Sequence, residues 1–150
     1  MTNFFVDTSA LAKYYLTEMG TAWVQGLVLP SAGNVILICD LTTIEFFALL
    51  MRHQREGKLL ASDSLILQTA FLADVSREYL AITLEYPVVV LARSLVMKYP
   101  LRPPDALQLA SALHAINLIG EPITFICADK DLIAAAQAEG LTVDDPNLHP

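Results

Sequence analysis

Residues 4–15 read Phe-Phe-Val-Asp-Thr-Ser-Ala-Leu-Ala-Lys-Tyr-Tyr, or FFVDTSALAKYY. Three consecutive large apolar residues, Phe4–Val6, suit a strand covered on both faces, since such a strand needs no polar alternation. The run stops abruptly at Asp7. Thr8 and Ser9 follow, and then a helix-like stretch begins. A carboxylate ending a buried strand has two readings. Asp7 caps the next helix by accepting from its free backbone N–H groups, or it holds a ligand at the carboxyl edge of a sheet, where α/β proteins bind theirs.

The same sequence of events recurs along the chain. Apolar segments at Phe4–Val6, Val35–Cys39 and Ile123–Cys127, with weaker ones at Leu80–Thr83 and Leu141–Val143, are expected strands. Helical patterns are expected at Ala10–Leu16, Ala22–Leu29, Ile44–Arg55, Ser62–Arg77, Val88–Lys98, Ala106–Leu118 and Leu132–Glu139. Gly57, Gly120 and Gly140 follow three of these runs, where helices stop. There is no internal repeat, low-complexity tract or linker. The expectation is a single domain over residues 1–150, a three-layer α/β/α sandwich with a mainly parallel central sheet.

Composition limits what such a domain does. The 150 residues suit one domain with a substantial core. The apolar fraction is 55% and the mean hydropathy +0.50. No apolar run approaches the roughly 18 residues of a membrane span, so no membrane association is expected. The N-terminus has no basic segment leading into an apolar one, as a secretion signal requires. Cys39 and Cys127 lack CxxC spacing and read as two buried reduced thiols, which points to the cytoplasm. The net charge of −7 gives no general attraction for phosphate. A nucleic-acid partner would need local basic residues or bound cations.

Motifs of several enzyme classes are missing: GxGxxG, GxxxxGK[ST], GxSxG and HExxH. His53, His114 and His149 have no ligand-like spacing, and His114, nine residues after Asp105, falls on the opposite side of a shared helix. Serine or cysteine nucleophiles therefore have no visible base. What remains is acid. Asp7 follows the first strand, Glu45 lies just inside the helix after the second, Asp105 opens a helix, and Asp129 follows the last long strand. Singly, each has a structural role: Asp7 and Asp129 as caps, Thr42 and Glu45 as a capping box, Asp105 as a partner of the helix dipole. Together they are expected at one sheet edge: Asp7 and Asp129 at strand ends, Glu45 one helical turn beyond another, and Asp105 on a helix able to bring its first turn to the same crevice. A cap contributes only about 1 kcal/mol. Two carboxylates about 4 Å apart repel by roughly 4 kcal/mol at an effective dielectric of about 20. Four converging acids therefore call for a cation, and oxygen-only ligands favour Mg²⁺ or Mn²⁺ over zinc.

The segments FFVDTSALAKYY, TTIEFF, LRPPDALQLA and FICADKDLIAAAQAEGL, taken in this order, resemble the four acidic motifs of PIN-domain ribonucleases, in particular toxins of VapC type. The resemblance runs from Phe4 to Leu141. It implies that Asp7, Glu45, Asp105 and Asp129 coordinate one or two Mg²⁺ or Mn²⁺ ions and that RNA is cut by metal-assisted hydrolysis. It also implies that Ser9 is a polar residue near the metal and Arg102 a basic neighbour of the third acid. Asp7 is then a metal ligand, which leaves Thr8 or Ser9 to cap the helix. Finally, it implies a homodimer and a cognate antitoxin that covers the acidic groove.

Asp131 reads either as a further metal contact or as a cap of the last helix. Lys13, Arg52, Arg55 and Arg102 are the candidate phosphate contacts; Arg52, seven residues after Glu45, shares its helix face. A homodimer is expected on physical grounds as well, because IEFFALLMRHQ and ALQLASALHAINLIG are apolar around much of their circumference. Two alternatives stand beside the nuclease. One is a PIN-like scaffold that binds RNA or protein without catalysis. The other is a phosphatase of haloacid dehalogenase type, which wants an Asp where Ser9 stands.

Overall fold

The computed structural model describes residues 2–150. Its centre is a five-stranded sheet built from β1 (Asn3–Val6), β2 (Val35–Cys39), β3 (Tyr79–Ile82), β4 (Thr124–Ile126) and β5 (Thr142–Asp144). The strand order is β3-β2-β1-β4-β5 and every pairing is parallel, so the sheet is wholly rather than mainly parallel. Seven α-helices connect and cover the strands: α1 (Thr8–Tyr15), α2 (Thr21–Val28), α3 (Thr42–Arg55), α4 (Ala61–Arg77), α5 (Tyr86–Lys98), α6 (Pro103–Ile119) and α7 (Lys130–Ala138). Two short 3₁₀ turns, Pro30–Ala32 and Pro146–Leu148, each begin at a proline and had no counterpart among the expected elements.

Unbroken apolar strands do what burial on two faces demands. Phe5, Leu37, Cys39, Phe125 and Cys127 face one core with residues of α5, α6 and α7. Val6, Ile36, Ile38 and Ile126 face a second core with α1, α2, α3 and Phe71 of α4. Phe5 and Phe125 are partners in register, and their rings stack at 5.7 Å. This alternation across a helix-covered sheet is the three-layer sandwich.

Helix starts fall up to three residues earlier than the apolar pattern places them, because the first turns are polar. α1 starts at Thr8, not Ala10, and α6 at Pro103, not Ala106. Proline suits that first turn, where its missing N–H goes unneeded. α6 also changes the meaning of its apolar circumference. Seven of its residues, from Ala106 to Ala115, are buried inside the monomer. Most of the surplus that suggests a dimer face on ALQLASALHAINLIG is core, although Leu118 stays 65% exposed. The large apolar residues that remain exposed include Leu65, Ile66 and Leu72 on α4 and Tyr86, Val90 and Met97 on α5.

Candidate active site

In strand order β3-β2-β1-β4-β5 the chain winds one way from β1 and the other way from β4. The crevice beyond the carboxyl ends of β1 and β4 is therefore the switch point, where open α/β sheets bind ligands. Asp7 leaves β1 there and Asp129 follows β4. Glu45 comes from the first turn of α3 and Asp105 from the first turn of α6. All four carboxylates line one cleft of about 330 Å³, together with Thr8, Ser9, Arg52 and Arg102.

Asp7 takes the capping role and also lines the cleft. It is itself the cap of α1, accepting from Ser9 N–H at 3.2 Å, so neither Thr8 nor Ser9 takes that role. Asp129 likewise caps α7, accepting from Leu132 N–H at 2.9 Å. Capping occupies one oxygen of each carboxylate and still leaves both residues at the cleft. The capping box expected of Thr42 and Glu45 is not formed. Leu41 is the helical N-cap and Glu45 turns instead toward Thr8 and Gln108.

Asp7 is the most enclosed of the four, only 5% exposed. Burial pushes its carboxyl up to about 6, against the lowering bond from Ser9, with the charges of Glu45 and Asp105 adding to the rise. Ser9 holds it in place, donating its hydroxyl to Asp7 Oδ2 and accepting from Ala128 N–H at 3.1 Å. Asp105 is also raised by burial, offset by Arg102, whose Nε lies 3.3 Å from Asp105 Oδ2. That guanidinium is 79% exposed, so the pair contributes little to stability.

Not every expected residue reaches the cleft. Arg52 and Arg102 line it. Lys13 does not: it is 6% exposed, donates to Met19 O at 2.9 Å and pairs with Glu18. Its ammonium ties α1 to the following loop instead of meeting phosphate. Asp131 sits exposed in the first turn of α7, outside the cleft lining, and acts on Asp105 only through its charge. His114 borders a separate pocket with Ile82 and Leu118.

Four residues take roles at the site that sequence reading did not assign to them. Cys127 donates its S–H to Asp7 Oδ2 at 3.6 Å, and its sulfur receives Asp129 N–H at 3.3 Å. Burial pushes this thiol far up, so it stays protonated and serves as a donor. Thr8, Thr42 and Gln108 form a buried polar network with Glu45. Gln108 carried a usable signal: it is the lone amide in the apolar run Ala106–Leu113, three residues after Asp105 and so on the same helix face.

As the side chains stand, no three His, Cys, Asp or Glu groups among the described residues make a closed metal cluster. The donor chemistry nevertheless fits a hard divalent cation. Four carboxylates face one cleft without histidine, Asp7 is buried at a cost to its charged form, and the paired cation Arg102 sits on the exposed side of Asp105.

Fold and site together define a small doubly wound α/β protein whose switch-point crevice is acidic instead of glycine-rich. The model of the PIN domain family matches residues 4–138, and the chain belongs to that family. No curated protein sequence matches it. Several solved structures share its fold. A chain of VapBC2 from Rickettsia felis, bound to a DNA fragment from their promoter, superposes with a TM-score of 0.66 at 13% identity, covering 96% of this chain and 98% of that one. A toxin–antitoxin complex from Klebsiella pneumoniae gives 0.61 at 16%, covering 96% and 98%. FitAcB from Neisseria gonorrhoeae gives 0.58 at 14%, covering 95% and 97%. At these identities the likeness is one of fold. No helix among the described residues is long and apolar enough to cross a membrane.

Proposed function

We propose that the chain is a metal-dependent endoribonuclease and the toxin of a toxin–antitoxin pair. The observation that carries this reading is the gathering of Asp7, Glu45, Asp105 and Asp129, from four separate segments, into one cleft at the switch point. A stabilising role alone does not require four caps and first turns to share a crevice, since each functions equally well apart.

These four carboxylates would hold Mg²⁺ or Mn²⁺. When bound, such a cation lowers the pKa of a coordinated water and offsets charge on the attacked phosphate. The chain supplies the rest. Ser9 and Cys127 fix the Asp7 carboxylate, and Ser9 also joins the β4–α7 connection to it. Arg52 and Arg102 offer positive charge at the cleft of a protein that is otherwise acidic. No side-chain nucleophile or base is needed, in keeping with histidines that all lie elsewhere. A phosphodiester would approach this cleft only with the acids neutralised by the cation and by Arg52 and Arg102.

The purified protein should cut single-stranded or looped RNA in Mg²⁺ or Mn²⁺, stop in EDTA, and stop again as Asp105→Asn. Cleavage that survives EDTA sinks the metal mechanism. The toxin assignment rests on the neighbours described as toxin–antitoxin complexes. Expression alone should arrest growth, Asp7→Asn should relieve the arrest, and a cognate antitoxin should silence the enzyme by covering the acidic cleft. The scaffold alternative has one observation in its favour: Asp7 and Asp129 both cap helices. Inactivity on total RNA with added metal would move the assignment there.

A further inference from the structure

Gln108 lies in the middle of α6 with 1% of its surface exposed. Its Nε2 is 2.8 Å from Glu45 Oε1, 3.0 Å from Thr42 Oγ1 and 3.1 Å from Thr8 Oγ1. Thr8 Oγ1 is in turn 2.8 Å from the same Glu45 oxygen and 2.9 Å from Thr42 Oγ1. The direction of this network is fixed at one end, because a carboxylate only accepts. Thr8 and one Gln108 hydrogen donate to Glu45 Oε1. The second Gln108 hydrogen goes to Thr42, and Thr42 donates to Thr8. All four protons are used and the chain of donors converges on one oxygen. Segments from α1, α3 and α6 thus grip a single carboxylate.

The amide orientation has a cost. Gln108 Oε1 is buried and has no hydrogen-bond partner. Turning the amide over would set that oxygen against Glu45 Oε1 at 2.8 Å, two acceptors in contact. An orphaned buried carbonyl lowers stability, and a methionine of similar size would not carry that penalty. A residue that keeps a stability defect in order to aim a donor at one carboxylate is placed for that carboxylate.

We infer that Gln108 is the positioning residue of Glu45, holding Oε1 so that Oε2 is presented to a divalent cation in the cleft. The inference rests on reading the cleft as a metal site. Partners that orient ligating groups typically govern metal affinity by about 10–100-fold. Here the donor arrives from α6, the helix that also carries Asp105, so one element sets two of the four carboxylates.

The test titrates Mn²⁺ alone into the whole protein, following free Mn²⁺ by electron paramagnetic resonance, with urea denaturation of the metal-free proteins alongside. Gln108→Met should weaken Mn²⁺ binding by about tenfold while metal-free stability is kept or raised. Gln108→His, which retains an N–H donor, should bind nearly as the wild type does. Gln108→Asn keeps an amide but draws it back by one methylene, and serves in place of the methionine variant if that does not fold; it too should weaken binding. A soluble Gln108→Met or Gln108→Asn that binds Mn²⁺ as tightly as the wild type overturns the inference. So does a loss of affinity matched by a loss of stability, which marks a merely structural residue. Wild-type protein that binds no Mn²⁺ removes the metal site itself, a failure visible before any variant is compared.

Discussion

The Ser9 hydroxyl donates to Asp7 Oδ2 while accepting Ala128 N–H, so one small side chain joins the candidate ligand after β1 to the backbone after β4. Its two bonds have different consequences. Ser9→Ala leaves Ala128 N–H without its partner, which should destabilise the fold by about 1–3 kcal/mol in urea denaturation. It also removes a bond that favours the charged form of Asp7, whose pKa should then climb above its value of about 6. Carboxyl titration by NMR reads that rise directly; an unchanged Asp7 would mean the hydroxyl does not control its charge.

Asp7 gives the metal-free protein an inverted pH dependence. Its pKa is 3.8 in the reference state and about 6 in the fold. Between those values the folded chain keeps a proton that the unfolded chain has released, so stability falls as pH rises through the window and stays lower above it. The gap corresponds to roughly 3 kcal/mol. Asp7→Asn keeps an amide oxygen able to cap α1 but has no charge to bury. The variant should therefore be at least as stable as the wild type at pH 7, and should lose the slope between pH 4 and 6. Mg²⁺ or Mn²⁺ should raise the wild-type thermal midpoint at pH 7 and raise that of Asp7→Asn less. A destabilised Asp7→Asn with an intact metal response would leave capping as the function of this carboxylate.

The fold was legible because both faces of the sheet are covered. Phe4–Val6 and Val35–Cys39 carry no polar alternation to mislead, and all five strands and seven helices were expected near their places. What pattern reading missed came from groups that bond across the sequence. Strand order is a matter of which apolar edges meet, and no residue in β1 names β4 as its neighbour. Gln108 goes unread in the sequence because its acceptor, Glu45, lies 63 positions away. Lys13 failed for the converse reason: spacing from Asp7 placed it near the acids, but Glu18 and Met19 O lie closer to its ammonium.

That contrast separates the basic residues experimentally. Lys13 Nζ donates to a backbone carbonyl from a buried position, so Lys13→Ala should cost about 1–3 kcal/mol of stability and leave the salt dependence of RNA binding unchanged. Arg52 and Arg102 line the cleft with little structural duty. Arg52→Ala and Arg102→Ala should keep the stability of the parent, weaken RNA binding, and flatten its dependence on log salt by about 0.7 for each phosphate no longer neutralised. Binding measured at several salt concentrations, on an Asp105→Asn background in which cleavage should be lost, decides the matter. A salt slope altered by Lys13→Ala and untouched by either Arg would reverse these assignments.

The expected homodimer keeps its physical basis but moves to another surface. α6 buries most of its apolar circumference within the monomer and leaves Leu118 exposed, whereas α5 exposes a row of large apolar residues. Tyr86 is 72% exposed and Met97 87%, with Val89, Val90 and Val96 each near 40%. At 100° per residue these positions form one broad stripe along α5. The stripe continues into an apolar cleft shared with Pro103, Ala106 and Leu107 of α6, whose only charged lining residue is Arg93. Contiguous exposed apolar surface of this kind marks interfaces, and a two-fold pairing of identical faces is the simplest closed way to cover it. The protein should be a dimer by light scattering at micromolar concentration. Met97→Glu and Val90→Glu should shift it toward monomer without loss of monomer stability, since neither side chain belongs to either core. A wild type that stays monomeric at every accessible concentration removes the dimer; a dimer indifferent to both substitutions places its interface elsewhere, with the exposed Leu65, Ile66 and Leu72 of α4 the next surface to charge.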